Sequence, residues 1–173
     1  MQRLWAPWRM SYIKSADRMH GCFLCEAVSR RDEEAYIVYR SEKVFVILNS
    51  YPYNTGHIMI APYRHIGDIE SLDDAEALNL VNVIKKSIAA LREAYSPQGY
   101  NVGLNLGRVA GAGVEGHLHV HIVPRWGGDT NFMPITGGAK VLPEDLRSTW
   151  EKLREAFRKI DHESRILNMQ ANS

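Results

Sequence analysis

The stretch from His117 to Pro124 reads His-Leu-His-Val-His-Ile-Val-Pro, which predicts a β-strand with two different faces. Side chains alternate across a strand, so His117, His119 and His121 share one face while the apolar residues between them share the other. At a rise of about 3.3 Å per residue, neighbouring imidazoles lie about 6.6 Å apart. A lone histidine is most often a satisfied core residue, and metal-chelating histidine tracts rarely alternate with Leu, Val and Ile. Three histidines at period two therefore indicate a functional site backed by a core.

Composition narrows the class of protein. The chain has 173 residues, 45% of them hydrophobic and 24% charged, which fits one domain with a sizeable core. A net charge of +1 without runs of Lys or Arg disfavours broad binding to nucleic acid or to a membrane surface. The sequence shows no apolar stretch typical of a signal peptide or a transmembrane helix, and two cysteines cannot form a secreted disulfide framework. We therefore expect a cytoplasmic protein.

Four further strands are predicted from runs of β-branched, aromatic and alternating apolar residues. The turn residues Asn54-Thr55-Gly56 separate the second and third of these runs, and a glycine-containing loop at 107–116 leads into the histidine strand. The runs lie at 35–40, 43–48, 57–61 and 102–106.

Two main helices are predicted from apolar residues that recur every three or four positions. The first begins at Ser71-Leu72-Asp73-Asp74 and ends near Tyr95, before Ser-Pro-Gln-Gly; Pro143 suits the first turn of the second. The first stripe comprises Leu78, Val81, Ile84, Ile88 and Leu91, and the second comprises Leu146, Trp150, Leu153, Phe157 and Ile160. Strands in runs with helices set apart indicate an α+β fold with an antiparallel sheet.

The histidine strand resembles the signature of the histidine-triad superfamily, whose members hydrolyse or transfer nucleotidyl groups at phosphate and phosphoramidate links. Residues 46–49 and 51–62 resemble the first nucleotide-binding hairpin of that family. The stretches Leu-Trp-Ala-Pro-Trp-Arg-Met at 4–10 and Pro-Arg-Trp-Gly-Gly-Asp-Thr-Asn-Phe at 124–132 are similar to the branch that contains diadenosine tetraphosphate phosphorylases. The resemblance covers nearly all of 4–160. It implies a five-stranded antiparallel sheet with two main helices, paired into a homodimer.

We expect three segments along the chain: an N-terminal arm at 1–20, a single domain at 21–161, and a polar tail at 162–173 that frays. The arm carries Trp5 and Trp8, for which we expect packing in the core. A cover over the site and a subunit contact are the alternatives for these two side chains.

The resemblance implies roles for the histidines. It places the nucleophile, and with it a nucleotidyl-histidine intermediate, on His119. His121 is our candidate for neutralising charge and supplying a proton, helped by Asn105 and the N–H groups of the glycine loop. From the residues alone, a histidine such as His57 is more often structural. The resemblance instead gives it a supporting role behind the nucleophile.

The nucleotide has candidate contacts on two segments. Asn49 aligns with the residue that binds the ribose hydroxyls, although Asn is also common as a turn residue at strand ends. Phe45 and Leu48 can wall an adenine pocket or belong to the core. Gly111 and Gly113 let the backbone approach a phosphate, or serve a flexible connection.

The chain departs from part of the family ahead of the triad. Related hydrolases of dinucleoside polyphosphates carry a Gly-Gln pair there, whereas this chain reads Gly-Ala-Gly-Val-Glu-Gly at 111–116. The missing amide leaves room for inorganic phosphate as the second acceptor, which favours the phosphorylase branch. Known phosphorylases can carry a small hydroxyl residue where Gly113 stands, which leaves the acceptor open.

A metal site is the second candidate. Cys22-Phe-Leu-Cys25 alone is compatible with a metal knuckle, a redox pair or two incidental thiols. The resemblance supplies two further ligands, His65 and His117, for a closed structural zinc site, with His20 as a less favoured alternative. No organic cofactor is implied.

The resemblance therefore implies an enzyme that cleaves diadenosine tetraphosphate with inorganic phosphate to ATP and ADP. The alternatives are a dinucleoside polyphosphate hydrolase, an adenosine phosphoramidase, and a nucleotide-binding protein with incidental turnover. Uridylyl transfer is disfavoured, because those relatives carry glutamine where this chain has His121.

Overall fold

The computed structural model describes residues 21–129 and 141–171, and within them the chain forms a five-stranded antiparallel sheet in the order β1-β2-β3-β5-β4. This confirms the expected α+β class and the five predicted strands. The elements are α1 (Phe23–Ser29), α2 (Asp32–Ala35), β1 (Ile37–Arg40), β2 (Val44–Leu48), β3 (Ile58–Pro62), α3 (Asp74–Tyr95), β4 (Gly99–Leu104), β5 (Val120–Arg125) and α4 (Leu146–Ala171). Residues 1–20, with Trp5, Trp8 and His20, lie outside the described part.

The two faces of the sheet have separate cores. On one face, alternate residues of β2, β3 and β5, such as Leu48, Ile60 and Ile122, pack under the long helices α3 and α4. On the other, Phe45 and Ile47 pack against the short α1. Burial on both faces explains why β2 and β3 read as continuous apolar runs instead of alternating ones.

Helix α3 begins where the sequence predicts, but its buried stripe differs from the prediction. Leu78 and Val81 are 64% and 53% exposed, while Leu80 and Val83 are buried. The predicted stripe is therefore wrong in its first half. Apolar residues occupy both sides of this helix, so apolar character alone does not identify its inner face.

Helix α4 begins at Leu146, so Pro143 lies before the helix and not in its first turn. Asp145 caps this end, because its Oδ1 accepts hydrogen bonds from the backbone N–H groups of Arg147 and Ser148. The predicted stripe is confirmed, with Leu153 and Phe157 fully buried.

The same helix continues to Ala171, through residues where we expected fraying. Neither Gly nor Pro occurs between 161 and 171, so the sequence contains no strong signal that ends the helix there.

No helix in the described ranges is long and apolar enough to span a lipid bilayer.

A buried carboxylate determines where α3 starts. Glu76 is 3% exposed and completes a capping box with Asp73. Arg64, in the segment after β3, donates to both oxygens of Glu76 through Nε and Nη2, at 2.6 Å each. These hydrogen bonds lower the pKa of Glu76 to about 2. The contact therefore joins the end of β3 to the first turn of α3.

Glu76→Gln should lower the free energy of unfolding by about 2 kcal/mol at pH 7, because it removes the charge from a buried hydrogen-bonded group. A carboxylate with a depressed pKa stabilises the fold above its unfolded value, 4.5, and loses that contribution as pH falls toward about 2. The gap between the variant and the native protein, measured by urea unfolding, should shrink over that window. Glu70→Gln, at an exposed position, is the matched control; equal losses in both variants would contradict this role for Glu76.

Candidate active site

The three histidines of the motif do not all lie on a regular strand. β5 begins at Val120, so His117 and His119 lie in the extended segment before it and His121 is its second residue. Val120 and Ile122 pack in the core under α3 and α4, but His117 and His119 are also buried, at 0% and 6% exposure. The His119 and His121 rings lie with centroids 4.9 Å apart, edge to face.

A backbone carbonyl determines which nitrogen of His119 carries the proton. Nδ1 of His119 lies 2.8 Å from the carbonyl oxygen of His117. A carbonyl only accepts hydrogen bonds, so Nδ1 is the protonated nitrogen and Nε2 keeps its lone pair. Burial lowers the pKa of His119, which is 6% exposed. The side chain is therefore a neutral imidazole near pH 7, with Nε2 available as a nucleophile.

A second chain of hydrogen bonds determines the protonation of His121. The backbone N–H of Tyr53 donates to Nδ1 of His57 at 3.0 Å, so the proton of His57 is on Nε2. That nitrogen lies 3.0 Å from Nδ1 of His121, to which it donates. Burial, followed by the neighbouring His121 and His119, lowers the pKa of His57 to about 3 and keeps it neutral. His121 therefore carries its own proton on Nε2, as a donor.

The turn before β3 holds His57 in this position. Gly56 adopts φ +75°, and the N–H of His57 donates to the carbonyl of Asn54. Asn54 is buried and its Nδ2 donates both to the carbonyl of Pro124, at 3.0 Å, and to Asp129, at 2.8 Å. Sequence reasoning missed Asn54 and Asp129 as site residues, since an Asn before Gly normally indicates only a turn.

An open groove of about 360 Å³ begins beside His121, on the sheet face away from α3 and α4. Among the expected nucleotide-binding residues, Asn105 lines this groove, with Nδ2 3.5 Å from the carbonyl of Gly111. Gly111 adopts a left-handed conformation at φ 92°, and Gly113 is half-buried in the same loop. The groove-lining residues, hereafter the groove, are Tyr53, Asn101, Val102, Gly103, Leu104, Asn105, His121, Val123 and Arg125.

Asn49 lies beside the histidines at the end of β2. Its Oδ1 accepts from the backbone N–H of Tyr51 at 2.8 Å, which is the turn contact typical of Asn. Its Nδ2 lies 3.5 Å from Nε2 of His57, but both nitrogens are donors, so this contact does not replace the 3.0 Å bond from His57 to His121.

The structure separates the two expected wall residues of an adenine pocket. Phe45 packs on the α1 side of the sheet, 5.4 Å from the ring of Tyr63, whereas Leu48 lies in the core under α3. Residues three positions apart on a strand point to opposite faces of the sheet, so Leu48 cannot line a pocket together with Phe45.

The four expected metal ligands form one cluster. The Sγ atoms of Cys22 and Cys25 and one nitrogen each of His65 and His117 all lie within 4.8 Å of one another. Nε2 of His117 donates to the carbonyl of Pro62 at 2.9 Å, so its Nδ1 lone pair faces the two thiols, at 3.2 and 3.5 Å. Tetrahedral zinc with S and N ligands has ligand–ligand separations of about 3.6 Å. The donor set and its spacing therefore fit zinc.

Close backbone packing brings the metal cluster to the histidine segment. The N–H of Leu118 donates to the carbonyl of Ile66 at 2.6 Å, which aligns the segment after β3 with the triad segment. A Cβ on Gly67 would lie 2.8 Å from the carbonyl oxygen of Glu115, so only glycine permits this approach. His65 consequently lies beside His117, with ring centroids 5.1 Å apart.

Comparison with known proteins agrees with this architecture. A family model described as the HIT domain matches residues 30–128. The AP-4-A phosphorylase of Mycobacterium tuberculosis is 44% identical over 157 residues, which is 86% of this chain and 80% of the relative.

Solved structures show the same fold. A histidine triad nucleotide-binding protein from Sulfolobus tokodaii is 32% identical with a TM-score of 0.65, over 82% of this chain and 93% of that one. A zinc-bound histidine triad family protein from Mycobacterium smegmatis is 25% identical with a TM-score of 0.67, over 83% and 97% respectively. With the matched domain covering more than half of its length, this chain belongs to the HIT domain family.

Proposed function

We propose that this protein is an enzyme that cleaves diadenosine tetraphosphate by phosphorolysis, giving ATP and ADP through an adenylyl group carried on His119. The observation that carries the proposal is the pairing of an unprotonated Nε2 on His119 with a protonated Nε2 on His121, whose rings adjoin. One nitrogen can attack phosphorus while the other donates to an oxygen. The similarity to the mycobacterial AP-4-A phosphorylase supports the choice of substrate.

In the first step the Nε2 lone pair of His119 forms a bond to the α-phosphorus, and the bond from that phosphorus to its bridging oxygen breaks. ATP leaves with the electron pair on that oxygen, and the Nε2–H of His121 donates a hydrogen bond that stabilises the charge. His119 becomes an imidazolium, and its Nδ1–H remains bonded to the carbonyl of His117. That contact stabilises the positive charge.

In the second step an oxygen of inorganic phosphate attacks the same phosphorus. The phosphorus–nitrogen bond breaks, its electron pair returns to Nε2 of His119, and ADP is released. We propose that Asn105 and the loop that contains Gly111 and Gly113 bind the non-bridging oxygens. Asn49 is proposed to bind the ribose. Phe45 is fully buried in the core against α1, so it is not a candidate for contact with the adenine ring.

The cysteine–histidine cluster is proposed to hold structural zinc, and the zinc-bound relative supports this assignment. With four protein ligands the shell is closed, so the metal would have a structural effect: it would link α1 to the triad segment through His117.

We also propose that the protein is a homodimer, since β4 is an outer strand of the sheet with Val102 46% exposed.

Incubation with diadenosine tetraphosphate, with and without inorganic phosphate, tests the reaction. ATP and ADP should appear only when phosphate is present, as followed by anion-exchange chromatography. His119→Ala should lower the rate at least about 10³-fold, because it removes the nucleophile. His162→Ala, at an exposed histidine of α4, is the matched control and should be fully active. ATP and AMP without phosphate would identify a hydrolase, and binding without turnover would contradict the enzyme proposal.

Cys22→Ser should release the metal and lower the free energy of unfolding by on the order of 3 kcal/mol, because a closed metal shell contributes to folding. Elemental analysis of the purified native protein should give one zinc per chain, and the variant should give less. The control variant His162→Ala should keep its zinc, and this would assign the metal loss in Cys22→Ser to the cysteine–histidine cluster. Native protein without zinc, together with unchanged stability of the Cys22 variant, would overturn the assignment.

His57→Phe should lower kcat about 10²-fold with little change in KM, because His121 loses the donor that keeps its proton on Nε2. His57→Gln should recover part of the loss, since the carboxamide N–H can replace the Nε2–H donor. Thermal unfolding checks that both variants fold. Equal activity of the two variants would show that His57 acts through packing alone.

A further inference from the structure

The groove leads away from the proposed nucleophile along a part of the sheet that the described residues leave open. Residues 121, 123 and 125 of β5 point to the face opposite the helices, and α1 with its core covers that face only over β1 to β3. Over β4 and β5 the described residues leave it open. His121 lies at the end of the groove near His119, and Arg125 lies four residues further, about 13 Å along the strand.

The floor of the groove is low beside His121. Gly103 is in register with His121 across the β4–β5 pair, and Asn101 is in register with Val123. A Cβ built on Gly103 would meet nothing within 4 Å, so the missing side chain leaves open space next to the imidazole. A group that leaves the α-phosphorus near His121 therefore has a path along this floor.

Arg125 lies at the end of the groove away from His121, and hydrogen bonds hold its guanidinium in place. Nε and Nη2 of Arg125 donate to the two carboxylate oxygens of Asp129 at 2.7 and 3.1 Å, and Nη1 donates to Oδ1 of Asn101 at 2.8 Å. A guanidinium has five N–H donors, so three bonds leave two, on the terminal nitrogens. Arg125 is 47% exposed in its side chain, and it is the one Lys or Arg among the described residues that line the groove.

Tyr53 supplies an aromatic wall near the start of the groove. Tyr53 is 45% exposed, and its ring centroid lies 4.8 Å from that of His57 and 6.2 Å from that of His121. Aromatic side chains and guanidinium planes both suit a ligand that combines a flat base with phosphates. Such a ligand is a nucleotide.

We propose that the groove is the subsite for the leaving nucleoside triphosphate, with His121 beside its first phosphate and the Arg125–Asn101 pair binding its outer phosphates. The assignment rests on the proposed reaction, in which everything beyond the α-phosphorus of the substrate departs as ATP. Substrates whose leaving group ends before Arg125 would gain nothing from this end of the groove. The subsite would therefore select long polyphosphates over short adenylyl esters.

Two substrates that would form the same adenylyl group on His119 test whether Arg125 and Asn101 bind the leaving group. They differ in that group alone. Diadenosine tetraphosphate has a leaving group long enough to reach Arg125, whereas the p-nitrophenyl ester of AMP does not. Arg125→Gln should lower kcat/KM for the tetraphosphate about 10- to 100-fold and leave that for the ester within twofold. Asn101→Asp, which puts a carboxylate on the groove floor and keeps the Arg125–Asp129 pair, should give the same selective loss. Arg158→Gln, on the exposed side of α4, is the control.

Equal losses for both substrates, in both variants, would show that Arg125 and Asn101 support the fold instead of the leaving group. Unchanged kinetics for the tetraphosphate would also overturn the subsite. If the native protein turns over the ester and not the tetraphosphate, the subsite is refuted while adenylyl transfer stands. Native protein that cleaves neither substrate would instead refute the proposed function, and the subsite with it.

Discussion

The hydrogen bond from Nδ1 of His119 to the carbonyl of its own segment, at His117, is the contact on which the chemistry of the site depends. It is a short-range bond within the chain, so it needs only an extended backbone between the two residues. With the proton held on Nδ1, Nε2 keeps its lone pair. In the proposed reaction the same carbonyl would also stabilise the imidazolium that forms when Nε2 attacks. A single backbone oxygen would thus serve both the free and the substituted imidazole.

Two hydrogen bonds, both to the end of β3 and the residues after it, hold the segment that contains His117 and His119. Leu118 bonds to the backbone at Ile66, and His117 donates to the carbonyl of Pro62, so the segment after β3 determines its path. The remaining nitrogen of His117 then faces the two cysteines. A metal bound there would connect α1 to His117, the residue whose carbonyl accepts from Nδ1 of His119. The proposed structural zinc would therefore lie near the proposed nucleophile, although it would not take part in the chemistry.

The sequence predicts the strands and the two main helices well, because each depends on a local pattern. The two cysteines alone leave the metal site open, and only the family resemblance supplies His65 and His117 as further ligands. The buried side of α3 could not be predicted, since Leu78 and Val81 fit the helical period as well as Leu80 and Val83 do. The choice between them is made by contact with the sheet. Leu48 shows the same limit, because a strand buried on both faces gives no alternation from which to read which side chain faces the site.

Arg125 could not be singled out from sequence for a different reason. An Arg four residues before Asp129 indicates a surface ion pair, and pairs of that kind contribute little. Here the pair is tied into the site: Asp129 also accepts from Asn54, in the turn that positions His57. His57 in turn donates to His121. The far end of the groove and the donor imidazole at its start therefore share one hydrogen-bonded support. A ligand held at Arg125 would therefore be positioned relative to His121 by protein contacts at both ends of the groove.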